Sequence, residues 1–205
     1  MPQRYKKVYI CSRKKNGDTM NKDDILKLKA VVLYIMKECT AIDYFHLFKI
    51  LYFAERKQYA EYGQHLVKDT FCALKNGPVP SFLYDAVKCV VGKQHAQSPD
   101  LDILTSSFEP VGEDYDFGLK AKEDPDMDEL SEAEIDTIDW SIRNNIGKKF
   151  TDLSKSSHDM AWTAAWQTPE NRKMDSSLIA KAGGASDGFI EYIRERELID
   201  TLILS

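Results

Sequence analysis

The chain has 205 residues, 43% hydrophobic and 11% aromatic, enough for one domain with a real core and a short appendage. Its formal net charge is −5, from 28 Lys and Arg against 33 Asp and Glu. No apolar run approaches the roughly 20 residues of a membrane-spanning helix, and the first residues lack the apolar stretch of a secretory signal, so neither direct membrane insertion nor export is expected.

Cys11, Cys39, Cys72 and Cys89 are widely spaced and form no Cys-x-x-Cys pair. His46, His65, His95 and His158 are equally scattered. A disulfide framework, a metal site and a cofactor are therefore not expected, and the thiols suit a reducing cytoplasm. Residues 1–20 carry six Lys and Arg and one acid, which leaves 22 basic and 32 acidic residues beyond them, a net of −10. Nucleic acid needs a basic face, so it is not an expected partner for so acidic a body. The expected organisation is a disordered basic leader, 1–20, followed by one domain, 21–205.

A first helix is predicted over Asp23–Glu38, with Ile25, Leu28, Val32 and Ile35 on one face. A second should run from an Asp43 cap to Tyr62, apolar on so much of its circumference that it must be buried on more than one side, and end at Gly63. The segment Leu66–Lys75 has strand character around Thr70-Phe71-Cys72. The following Asn76-Gly77-Pro78-Val79-Pro80 reads as a rigid turn leading into a third helix that ends near Gly92. Beyond it the pattern loosens, with a strand suggested over Tyr115–Lys120, pairing near Phe108. Residues 109–139 hold thirteen acids against two lysines, which is either a solvated surface or a field that steers a basic partner.

Ser131-Glu132-Ala133-Glu134 has capping-box form and should start a fourth helix with Ile135, Ile138 and Ile142 inward. Thr151 is expected to cap a fifth containing Leu153, His158 and Trp162, the last two on one face. A final helix should follow the Gly183-Gly184 pair. The fold class is thus mainly α, a compact helical domain with a small β hairpin or sheet element.

Three blocks carry a resemblance. Leu47-Phe48-Lys49-Ile50-Leu51-Tyr52-Phe53-Ala54-Glu55 is followed by Gly63 and Leu66. Next comes Phe71-Cys72-Ala73-Leu74-Lys75-Asn76-Gly77-Pro78-Val79-Pro80-Ser81 with Tyr84. Last are Leu153-Ser154 and His158 through Trp162. In this order they resemble the Panacea, or SocA-like, antitoxin domain. Two departures stand out: Ser157 stands where that family commonly has threonine, and Asp159-Met160 replaces the family's more typical acidic spacing before the tryptophan.

The resemblance implies a non-enzymatic antitoxin of a bacterial or prophage toxin–antitoxin pair, binding a cognate protein toxin encoded by a neighbouring gene. A proteolytic adaptor that delivers the toxin to a protease is the nearest alternative. Tyr52, Lys75, Gly77, Pro78, Val79, His158 and Trp162 are the candidate partner-binding residues. Each also has a structural reading, as packed aromatics or a stiff connector. A hydrolase using His158, with Cys72 as nucleophile, is a rival of another class, but no oxyanion motif or glycine elbow accompanies either residue.

Overall fold

The computed structural model describes residues 20–93, 98–112 and 118–203. Its first helix, α1 (Lys22–Glu38), starts where the Asn21 side chain accepts from the Asp24 amide at 2.8 Å. The second, α2 (Tyr44–Tyr62), starts at Asp43, which accepts from the His46 amide at 3.0 Å, and ends at Gly63 with φ +63°. Both caps follow the expected chemistry: an oxygen acceptor for the free amides and a glycine in the left-handed region. Helix α2 is the axis of the molecule. Leu47, Ile50, Leu51, Tyr52 and Ala54 have no exposed surface.

Two strands follow, β1 (Phe71–Leu74) and β2 (Gly77–Pro80), paired antiparallel with Leu74 opposite Gly77 and Phe71 opposite Pro80. The segment predicted as a turn is therefore the second strand of a hairpin, and only Lys75 and Asn76 turn. Pro78 and Pro80 lie two residues apart, so their missing donors fall on one side of the strand. Gly77 and Val79 keep theirs for β1. On its other edge β1 meets the late segment 172–174: Ala73 donates to the Arg172 carbonyl and Met174 to that of Phe71, both at 2.8 Å.

Helix α3 (Ser81–Val90) has no cap from its own N-terminal neighbour Pro80. The buried Asp69 carboxylate supplies it instead, accepting from the Phe82 and Leu83 amides at 2.9 and 3.0 Å. Burial raises the Asp69 pKa to about 6, against the pull of these hydrogen bonds.

Helix α4 (Pro99–Thr105), opened by a Ser98 cap and proline in the first turn, occupies a stretch the sequence pattern left loose. A second hairpin pairs β3 (Phe108–Val111) with β4 (Gly118–Ala121). The predicted pairing near Phe108 holds, while Tyr115–Phe117 lie outside the described residues.

Helix α5 (Glu132–Asn145) begins with the full Ser131–Glu134 capping box and packs on α2. Its Ile138 is fully buried, whereas Ile135 and Ile142 are only half so. The predicted fifth helix is two. Helix α6 (Phe150–Ser157) stops at His158, and α7 (Met160–Trp166) restarts from an Asp159 cap. The break follows from Asp159, whose carboxylate takes the Ala161 and Trp162 amides at 3.1 and 3.2 Å and so ends one helix by beginning another. Helices α8 (Ser176–Ala182) and α9 (Asp187–Ile203) complete the chain, and Gly183 sits so close to α2 that a Cβ would lie 2.4 Å from the Arg56 carbonyl oxygen. Among the described residues no helix is long and apolar enough to cross a membrane.

Candidate partner-binding site

On α2, Phe45, Lys49, Tyr52 and Arg56 recur at intervals of four, three and four residues, so they form one stripe. That stripe faces the hairpin and the α6–α7 break. Lys49 lies in the middle of an apolar run and is almost fully buried. Its Nζ donates to the Pro78 carbonyl at 2.7 Å and stands 5.0 Å from the Phe45 ring centroid. Burial without a facing carboxylate lowers its pKa to about 7.

One turn further, the Tyr52 hydroxyl donates to Asp159 Oδ2 at 2.6 Å, and Arg56 reaches the same oxygen at 3.0 Å. Burial, followed by the Asp159 charge, holds the Tyr52 phenol well above its usual range. Asp159 thus joins α2 to α7 with one oxygen while capping α7 with the other. A residue with such double duty is hard to replace: glutamate is longer, and asparagine presents only one acceptor.

The hairpin is fastened from the other side. Trp162 Nε1 donates to the Leu74 carbonyl at 2.9 Å, and Ser154 Oγ to that of Asn76 at 3.3 Å. Gly77 has φ +107°, and a Cβ there would fall 2.4 Å from Ser157 Oγ and 2.8 Å from Lys49 Nζ. Only glycine suits both the backbone and the space.

His158 and Trp162 do not share an uninterrupted helix, yet the break still brings them together. Their rings stack at 3.8 Å and 12°, Trp162 and Trp166 at 5.1 Å and 12°, and the Arg172 guanidinium lies 4.1 Å over Trp166. Burial and then the Lys49 charge lower the His158 pKa, with Asp159 opposing. Its Nε2 is buried and has no hydrogen-bond partner among the described residues.

The structure therefore places the seven candidate residues at one junction but at different depths. Tyr52 has no exposed surface, and Gly77, Pro78 and Val79 are buried. Lys75 is exposed on the turn; His158 and Trp162 are half-buried. Cys72 is fully buried in β1, and Ser157, also buried, gives its hydroxyl to the Ser154 carbonyl at 2.9 Å.

Sequence reasoning did not name Lys49, Arg56, Asp159, Trp166 or Arg172 as candidate site residues, although Lys49 and Asp159 lie within the family-like blocks. A charged residue inside the run Leu47–Leu51 was a usable signal for the first, and the continued four-residue spacing of tryptophans for the fourth. Among the described residues no cluster of three or more His, Cys, Asp or Glu could hold a metal.

The family model for the antitoxin SocA-like Panacea domain matches residues 47–163, over half of the chain and nearly all of this junction. The chain belongs to the SocA-like Panacea family. This Panacea domain is also 29% identical over 97 residues to a protein named (6-4)DNA photolyase from Arabidopsis thaliana; the match covers 47% of the chain and only 17% of that relative. No solved structure gives a significant match. Membership ties the chain to toxin–antitoxin systems, and the family's blocks, distant in sequence, are the residues that meet around Lys49, Gly77 and Asp159.

Proposed function

We propose that this Panacea domain is an antitoxin that neutralises a cognate protein toxin by direct binding, and that it acts as a binding protein rather than an enzyme. The observation that carries the reading is the convergence of the family's blocks on a braced junction beneath a small surface. That surface comprises the Lys75–Asn76 turn, the outer side of α6, and the stacked His158, Trp162 and Trp166. Tyr52, Lys49, Gly77, Pro78 and Val79 support it from below, which gives the candidate residues two distinct roles. Aromatics held rigid by stacking lose little freedom on association, so they suit a contact surface.

The hydrolase alternative needs an accessible nucleophile, and buried Cys72 and Ser157 offer none in this arrangement.

The test is co-expression in the native cytoplasmic setting. The neighbouring small gene alone should arrest growth, and this chain should restore it, with the two proteins recovered as a stable complex. Rescue accompanied by disappearance of the toxin, dependent on a cellular protease, would assign the adaptor role. Normal growth with the neighbouring gene alone would sink the antitoxin reading.

A further inference from the structure

The N-terminal end of α6 carries an apolar surface of a different kind from the tryptophan stack. Phe150 is 47% exposed and Ile146 40%. The Phe150 ring packs on Phe45 at 4.1 Å, and Phe45 rests over the buried Lys49 amine at 5.0 Å. His46 Nε2 meets the Lys148 carbonyl at 2.9 Å and so holds the α5–α6 loop against the start of α2. Phe150 is fixed from beneath by Phe45 while nearly half of its surface stays in water.

Charge defines what this face accepts. Lys148 and Lys149 are both exposed beside Phe150, and neither pairs with a carboxylate among the described residues. Lys148 makes only a neutral bond to Asn145 Oδ1 at 3.0 Å. Asp43 is engaged by His46, and Asp152 is the nearest acid on α6 itself. In a chain of net charge −5, two adjacent unpaired lysines next to the exposed Phe150 form a local reversal of sign. The lysines also stand at the end of α6 where the helix dipole is positive, which adds to the same field.

We propose that Phe150 and Ile146, backed by Phe45 and flanked by Lys148 and Lys149, form the docking face for an acidic segment of the toxin, one that sets an apolar side chain against Phe150 and carboxylates against the two lysines. This rests on the antitoxin reading and names the chemistry of the partner. An exposed phenylalanine braced from below is the residue type that anchors interfaces, and unpaired lysines at its rim raise the association rate. Helix α6 connects this face to the Lys75–Asn76 turn, because Ser154 bonds the Asn76 carbonyl.

The experiment measures binding of the purified neighbouring-gene product to the full chain, to Phe150→Ala and to the double variant Lys148→Glu, Lys149→Glu, by surface plasmon resonance from low to physiological salt. Melting temperatures verify that each variant folds, and Lys149→Glu alone, which leaves the Lys148–Asn145 bond in place, serves as the second charge variant. Phe150→Ala should weaken binding ~10-fold or more, mainly through faster dissociation. The charge reversal should slow association ~10-fold at low salt, with the difference shrinking as salt rises. If the parent binds and all the variants match it, the docking face is elsewhere while the antitoxin reading stands. If the parent itself fails to bind, both fall together. A labelled single-stranded oligonucleotide is titrated alongside. If the variants lose affinity for it and not for the toxin, the face is a nucleic-acid surface and the proposal is overturned.

Discussion

The junction around Lys49 and Asp159 and the acidic segment from residue 109 to 139 treat charge in opposite ways. At the heart of the junction Lys49 and Asp159 have little exposed surface and specified partners: Lys49 the Pro78 carbonyl, Asp159 Tyr52, Arg56 and two amides. In the acidic segment the described carboxylates are mostly at the surface, and several are answered from α1. Lys27 pairs with Glu134 at 2.7 Å, Lys29 with Glu123 at 2.7 Å, Lys37 with Asp124, and the Tyr34 hydroxyl with Asp139 at 3.0 Å. A tally of charges within the segment therefore overstates its outward field, because folding brings three lysines from elsewhere. The lesson is that number of charges and strength of a charged site are separate matters. Loss of one partner is severe where burial has removed water and slight where water remains.

The largest expected effect tests the junction at its tightest point. Gly77→Val forces a β-branched residue into φ +107° and against Ser157 and Lys49, and should destabilise the domain by about 3–5 kcal/mol. Urea denaturation measures it. A soluble variant with the parent's midpoint would show that the junction yields easily and would break the contrast with the acidic segment.

Asp159→Ala comes next. It removes the acceptor for Tyr52 and Arg56 together with the α7 cap, an expected loss of about 2–4 kcal/mol. Repeating it in a Tyr52→Phe background should cost less, since that background leaves no orphaned hydroxyl. Additive losses would mean that the two residues act independently.

Lys49 offers a pH signature. Its folded pKa, about 7, lies below its unfolded value near 10.5. Between those values the unfolded chain holds the proton and the folded chain does not, so this residue makes stability rise with pH across that window, by up to ~1.4 kcal/mol per pH unit. Below pH 7 its unfavourable contribution is constant. Lys49→Met should flatten that slope between pH 7.5 and 9.5 in paired denaturation curves. Parallel curves for parent and variant would show that the amine stays charged.

The smallest effects belong to the surface. Asp124→Asn, Asp126→Asn and Asp128→Asn should each change stability by no more than ~0.5 kcal/mol. If they slow toxin association and flatten its salt dependence, the acidic segment steers; unchanged kinetics leave it a solvated face. Deleting residues 1–19 should shift the melting temperature little, and a fall of many degrees would show that the basic leader packs on the domain.

Much of the helical frame was legible beforehand because its signals are local. Asp43 and Gly63 bound α2 through cap chemistry contained in the neighbouring residues, and Ser131 with Glu134 did the same for α5. Apolar spacing on α1 and α2 was enough to identify their buried faces. Helices α4 and α8 are only seven residues each, too short for that spacing to stand out.

What the sequence by itself determined is a mainly helical Panacea domain, the limits of α1, α2 and α5, and the family's blocks of residues. Tertiary structure alone decided their roles. Gly77–Pro80 became a strand because β1 supplied the partner its two remaining donors required. One predicted helix became two because Asp159 bonds Tyr52 and Arg56, more than a hundred residues away, while capping α7. Lys49 became a buried amine because α2 is enclosed on all sides by elements from the rest of the chain. Each outcome rests on burial and on hydrogen bonds between distant segments, and these energies exist only once the chain has folded.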